Sequence, residues 1–146
     1  MFRSDPSVTV LPATSSGFGA DSGNYQPGVC NIGPAEIARR RRTGHVGVLA
    51  TVALFAVLVM LDAPPILRFI VALPAALAAS GYVQAALKFC VAFGVTGVFN
   101  FGRRGALQSV ATDEARAMDR ARVLQIMTLV VGISVTVGIV AVVLPV

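Results

Sequence analysis

Two cysteines are the residues of this sequence best suited to covalent or redox chemistry. Cys30 and Cys90 lie far apart, with neither the short paired spacing of a zinc site nor the density of a disulfide framework. The arginine run at 39–42 follows Cys30, and positive charge is the setting in which reactive cysteines are found. Three interpretations stay open. Cys90 is a small packing residue, or Cys90, with Cys30, forms a thiol site for persulfide, redox or metal chemistry, or the thiols are sites of palmitoylation.

The other polar residues do not form a catalytic set. His45 is the sole histidine, and Asp62 and Arg68 lie at the edges of apolar stretches, where pairing or contact with water explains them. The sequence has no nucleophile beside a base, no metal-ligand spacing and no acidic residue inside an apolar stretch. We therefore expect no enzymatic activity, no cofactor and no bound metal.

Four stretches without any Lys, Arg, Asp or Glu are the elements that position these residues. They contain 19, 19, 14 and 24 residues, at 43–61, 69–87, 89–102 and 123–146. A helix rises about 1.5 Å per residue, so roughly 20 residues cross the core of a bilayer. The sequence thus predicts an all-α integral membrane protein, with a helical hairpin that turns at the Pro64-Pro65 pair, a third transmembrane helix, and a 14-residue segment that is interfacial or re-entrant.

The positive charges indicate an orientation rather than a soluble partner. The formal net charge is +5, but the cations flank the apolar stretches, which argues against nucleic-acid binding. Because short cytoplasmic flanks are rich in Lys and Arg, we expect a multi-pass protein of the cell membrane with a cytoplasmic N-terminus. The residues expected to meet lipid headgroups and to set this topology are Arg39, Arg40, Arg41, Arg42, Arg103 and Arg104.

Small residues predict where helices approach closely in the membrane. The hairpin is expected to close through alanine stripes, at positions 50, 53 and 56 of the first span and at 72, 75, 76 and 79 of the second. Thr128, Gly132 and Thr136 form a separate stripe on the third span, which we interpret as a face for a partner helix. Pro74 predicts a kink in the second span.

The chain divides into three regions. Residues 1–33 are rich in Ser, Thr, Gly and Pro and are expected to form a disordered cytoplasmic tail. Residues 34–102 contain the hairpin and the interfacial segment, with a helix that starts at Pro34. Residues 103–146 hold a charged helix, capped by Thr112, that leads into the third span. Its charges at 113, 116, 119 and 122 are interpreted as a solvated, internally paired face.

Several short motifs occur together in the first two thirds of the chain. Asn31-Ile32-Gly33, Glu36, the arginines at 39–42 and Gly44 precede the first span, while Gly81 and Phe89-Cys90 follow the second. Over about residues 30–102 this order resembles the small two-helix membrane domain, of unassigned function, that occurs alone or fused to rhodanese sulfurtransferases. The resemblance implies a membrane hairpin and raises sulfur chemistry at Cys90.

Two functions follow as expectations. The first is a small non-catalytic accessory or structural subunit of a larger membrane protein complex, with membrane lipids and other subunits, or further copies of itself, as partners. The alternative is a thiol-dependent sulfur or redox membrane protein that uses Cys90, with Cys30 as a candidate second thiol. Sparse polar residues within the spans favour the first, and Cys90 among Phe and Gly favours the second.

Overall fold

Three long helices dominate the structure, a computed structural model that describes residues 25–102 and 107–145. Residues 1–24, Arg103 and Arg104 lie outside the described residues. The segments long and apolar enough to cross a membrane are Pro34–Met60, Pro65–Ala86 and Asp113–Val143, which confirms the three candidate spans. The elements in order are helix α1 (Pro34–Met60), a 3₁₀ helix (Pro65–Val71), α2 (Ala72–Ala86), α3 (Val91–Thr96), strands β1 (Val98–Phe99) and β2 (Gln108–Ser109), and α4 (Asp113–Val143).

The predicted start signals act as expected. Pro34 opens α1, where the missing N–H removes no intrahelical bond. Thr112 caps α4, and its hydroxyl oxygen accepts a hydrogen bond from the Ala115 N–H at 3.3 Å. Pro74 does not kink an established helix as predicted. It lies in the first turn of α2, directly after the 3₁₀ helix, where an absent N–H is tolerated.

The hairpin closes through glycines rather than through the predicted pair of alanine stripes. A Cβ added at Gly47 would lie 2.3 Å from the backbone nitrogen of Ala78, and one added at Gly81 would lie 2.4 Å from the nitrogen of Gly44. The backbones of α1 and α2 are therefore in direct contact. The α1 alanines at 50, 53 and 56 are exposed, so their predicted role in closing the hairpin is wrong.

Helix α4 packs along the second span and, at the end away from the cap, shares a buried cluster with α1, in which Leu58 lies with Ala141. A Cβ added at Gly138 would lie 2.8 Å from the Phe69 ring and 3.1 Å from the Cβ of Ala72. Further along, Ala79 joins a buried apolar cluster with residues of α4 and the segment after α2: Phe89, Val123, Ile126 and Val130. The alanine stripe of the second span thus faces the third helix, not the first.

A small irregular unit covers one end of the helices, and we call it the cap (residues 25–33, 87–102 and 107–112). It contains α3 and the antiparallel pair β1–β2, in which Val98 lies opposite Ser109. Ile32 forms a parallel bridge with Asn100. Residues 25–33 are therefore structured, and the predicted disordered tail extends too far: its last nine positions form part of the cap. The start of α1, the end of α2 and the start of α4 all meet at this end.

Candidate functional site

The buried polar centre of the cap is built around Cys90, which is fully buried at 0% exposure. The side chain of Asn31 brackets its backbone. The Asn31 Oδ1 atom accepts from the Cys90 N–H at 2.7 Å, and the Asn31 Nδ2 donates to the Cys90 carbonyl at 3.1 Å. An Nη2 of Arg40 donates to the Cys90 Sγ at 2.7 Å. Through these contacts Cys90 connects the segment before α1 and the first turns of α1 to the centre of the cap.

Gln84 secures the turn between α2 and α3 from the other side. Its Oε1 accepts from the Val91 N–H at 2.9 Å, and its main-chain carbonyl accepts from the Phe89 N–H at 3.0 Å. Its Nε2 donates to the Ser80 hydroxyl at 2.6 Å. Lys88 adopts a positive φ of 51° within this turn. Because Gln84 satisfies two backbone N–H groups at the start of α3, a six-residue helix can form there without a long apolar face.

Asp119 anchors the tail segment to α4. It is buried at 0% exposure, and its carboxylate accepts from the Tyr25 hydroxyl at 2.8 Å and from the Gly28 N–H at 2.7 Å. Burial, reinforced by the hydrogen bond to Asp119 and by its negative charge, raises the pKa of Tyr25. Arg116 donates to the Val110 carbonyl, with the shorter distance 3.1 Å. The predicted solvated, internally paired face is therefore wrong at Asp119, which is buried, whereas Arg116 is exposed but pairs with the main chain of the cap rather than with a charge of its own helix.

The four-arginine run separates into different environments. Arg40 points into the cap, as described above. Arg39 lies 3.7 Å from the carboxylate of Glu36 and remains largely exposed. Arg41 and Arg42 are exposed. The four arginines therefore differ in their surroundings: Arg40 binds within the cap, Arg39 lies beside Glu36, and the last two are directed outward.

Cys30 lies at the edge of the cap rather than at its centre. It is half-buried, and its Sγ is 3.8 Å from the Ile32 carbonyl oxygen. A cavity of about 380 Å³ beside it is lined in part by Lys88 and Arg122. Both cysteines are free thiols. Within residues 25–102 and 107–145, no group of three or more His, Cys, Asp or Glu side chains has the arrangement of a metal site.

The small-residue stripe of α4 lies on the outside of the bundle. Thr128, Gly132 and Thr136 are exposed, and a Cβ added at Gly132 would meet nothing within 4 Å. The threonine hydroxyls donate back to the carbonyls one turn earlier, at 2.9 Å for Thr128 and 2.8 Å for Thr136. Their polar groups are satisfied within the helix, so this face presents a smooth apolar surface.

Sequence reasoning missed the polar side chains that organise the cap. Asn31 enters the sequence analysis only as part of a motif, Gln84 has no role assigned from sequence, and Asp119 belongs to the predicted solvated face. No local signal marked Asn31 and Asp119, because their partners lie 59 to 94 positions away in the chain. Comparison with family models, curated proteins and solved structures gives no match for this chain.

Proposed function

We propose that this protein is a small non-catalytic accessory or structural subunit of a larger membrane protein complex. It crosses the cell membrane three times, with the cap and N-terminus in the cytoplasm and the end of α4 on the far side. Support for this orientation comes from the arginines, which cluster at the capped end in accordance with the positive-inside rule. α3 is only six residues long and lies with the cap at the cytoplasmic interface.

The observation that carries the proposal is the contrast between the polar groups buried at the cap and the apolar outer faces of the long helices. The buried polar side chains in and beside the cap, Asn31, Gln84 and Asp119, are engaged with backbone or side-chain partners inside this chain. Cys90 is inaccessible at its centre. The cap therefore offers internal support rather than an open reaction site, whereas the long apolar helices present outward faces available to other membrane helices.

The outer face of α4 is the docking face in this proposal. Its buried face, which includes Ile126 and Val130, is already used against α2 and the cap. Thr128, Gly132 and Thr136 lie on the opposite side. A stripe of small residues permits a partner backbone to approach closely, which is the main source of helix association in lipid.

The test is a pair of leucine substitutions on adjacent positions of α4. Gly132→Leu adds bulk to the stripe, whereas Val131→Leu changes an exposed neighbour, 53% accessible, outside it. We expect Gly132→Leu to release the protein from its complex or homo-oligomer during co-purification in mild detergent, with membrane insertion unchanged. Val131→Leu should behave as wild type. Equal co-purification and equal particle size for both variants would contradict the docking role.

A second candidate function rests on one contact, the Arg40 guanidinium 2.7 Å from the Cys90 Sγ. A cation beside sulfur is the arrangement used by thiol-dependent sulfur and redox proteins. On this hypothesis the cap opens to expose Cys90 to a sulfur donor, and Cys30 acts as a second thiol. Detection of a persulfide or mixed disulfide on Cys90 after rapid alkylation of intact cells, lost in Cys90→Ser, would favour this function. An unmodified Cys90, with full complex assembly in Cys90→Ser, favours the structural subunit.

A further inference from the structure

A continuous apolar groove runs along α2 between α1 and α4. These two helices both pack on α2 and make few contacts with each other. Two adjoining cavities of about 310 and 190 Å³ occupy the space between them and share Thr51, Val52 and Val137 as lining residues. One reaches Tyr82 near the capped end, and the other reaches Leu144 near the opposite end. The groove therefore follows much of the length of the bundle.

The shape of the groove suits a hydrocarbon chain better than a helix. Its floor is formed by small α2 side chains, Ala75, Ala78 and Ala79, and its walls are largely β-branched residues of α1 and α4. A helix about 10 Å in diameter that rises 1.5 Å per residue occupies roughly 120 Å³ per residue. The groove would hold only a few residues of such a helix. A single extended acyl chain is far thinner and can follow the groove along its length.

The end of the groove at the cap carries polar groups suited to a phosphate. Arg41 and His45 lie on the same face of α1 as the groove residues Val48 and Val52, because positions 41, 45, 48 and 52 recur at helical spacing. The Tyr82 hydroxyl is 2.6 Å from the Nδ1 of His45, and Tyr82 also lines the groove. Among the residues that the structure describes, Arg41 forms no ion pair or hydrogen bond.

We propose that this groove binds one acyl chain of an anionic phospholipid, whose phosphate lies at Arg41, His45 and Tyr82. An arginine and two hydrogen-bonding side chains match the oxygens of a phosphate. The apolar floor matches the chain below it. The nearby acidic residue, Glu36, is buried and lies beside Arg39, so Arg41 keeps its positive charge available for an anionic headgroup. Preference for an anionic lipid follows from this local charge.

The experiment uses full-length protein in nanodiscs that contain equal amounts of phosphatidylglycerol and phosphatidylcholine with identical chains. Native mass spectrometry then identifies the lipid that remains bound after release. We expect one retained phosphatidylglycerol and a preference of about tenfold over phosphatidylcholine, whose phosphate offers the same oxygens but whose quaternary ammonium is repelled by Arg41. No retained lipid, or equal retention of both lipids, would overturn the proposal.

Two matched pairs of variants separate this site from general lipid contact. Val52→Trp fills the groove, whereas Leu49→Trp places the same side chain outside the groove, at a site 70% exposed on α1; only the first should lose the lipid. Arg41→Gln should abolish the preference for phosphatidylglycerol, and Arg42→Gln, about 100° away around the helix, should retain it. Because both arginines are exposed, neither substitution disturbs folding. Identical behaviour within either pair, or a photoreactive residue at position 52 that cross-links to protein instead of phospholipid, contradicts the assignment.

Discussion

The hairpin interface and the cap reach specificity by opposite means. Between α1 and α2, close contact depends on missing side chains, since a Cβ added at Gly47 or Gly81 would overlap the facing backbone. In the cap, contact depends on particular side chains, since Asn31 and Asp119 each satisfy two groups of distant segments. The surroundings explain the difference. Lipid gives helices no hydrophobic reason to associate, so shape decides, whereas an irregular unit of short elements must pair its backbone groups individually.

The two regions should therefore tolerate different kinds of substitution. The hairpin should be sensitive to added volume and insensitive to changes of polarity on its outer faces. The cap should be sensitive to the loss of individual hydrogen-bonding atoms, because a buried polar group left without its partner costs about 1–3 kcal/mol. Three substitutions and one pH titration test this contrast between the hairpin and the cap.

The largest effect is expected from a single methyl group in the hairpin. Gly47→Ala places a Cβ 2.3 Å from the Ala78 nitrogen, so the helices must separate. We expect about 3 kcal/mol of destabilisation, the upper part of the range for overpacking. Gly132→Ala is the matched control in open space, and it should stabilise slightly through helix propensity. Denaturation of the detergent-solubilised protein measures both, and equal effects would show that the helices do not contact at Gly47.

In the cap, Asp119→Ala should release the tail from α4. The substitution leaves the Tyr25 hydroxyl and the Gly28 N–H without their acceptor, at a cost of about 2 kcal/mol. Hydrogen exchange of residues 25–32 should therefore accelerate while exchange in the three long helices stays unchanged. Asp113→Ala removes an exposed carboxylate of the same helix and serves as control. Equal protection of the tail in both variants would contradict the role of Asp119.

A smaller effect is expected at the centre of the cap, where Asn31 brackets Cys90. Removing both hydrogen bonds with Asn31→Ala should raise the rate of Cys90 alkylation roughly tenfold, since local opening becomes easier by about 1.4 kcal/mol. Cys30 lies at the edge of the cap and is only half-buried, so its alkylation rate should change little and serves as an internal reference. A wild-type protein whose Cys90 reacts as fast as Cys30 would refute the buried position of Cys90.

The smallest effect concerns pH. The pKa of Tyr25 is raised in the docked tail. Docked Tyr25 therefore keeps its proton at pH values at which an undocked tyrosine has lost its proton. The contribution of this hydroxyl to docking is therefore complete below pH about 10, the ordinary tyrosine value, and declines as the pH rises further. Tyrosinate absorbance should show a component that titrates late. Tyr25→Phe should remove that component, and its persistence in this variant would contradict the assignment to Tyr25.

Much of the architecture follows from local sequence. The lengths of the uncharged stretches predicted the three candidate spans, Pro34 marked the start of α1, and Thr112 marked the start of α4. These features depend on a few adjacent residues: hydrophobic length, a missing N–H, or a hydroxyl that accepts from the next turn. Such signals are complete within one segment, so no knowledge of distant residues is needed to read them.

Which faces meet was decided only by the tertiary structure. Alanine and glycine both count as small residues in a helix-packing pattern, yet Gly44 and Gly47 form the hairpin contact while the α1 alanines point outward. Likewise, Arg40 alone among four consecutive arginines reaches Cys90, and Asp119 finds its partners 91 and 94 positions earlier in the chain. The physical reason is that helical periodicity defines faces but not their partners. Pairing depends on the rotation of each helix against its neighbours, which only the packed structure specifies.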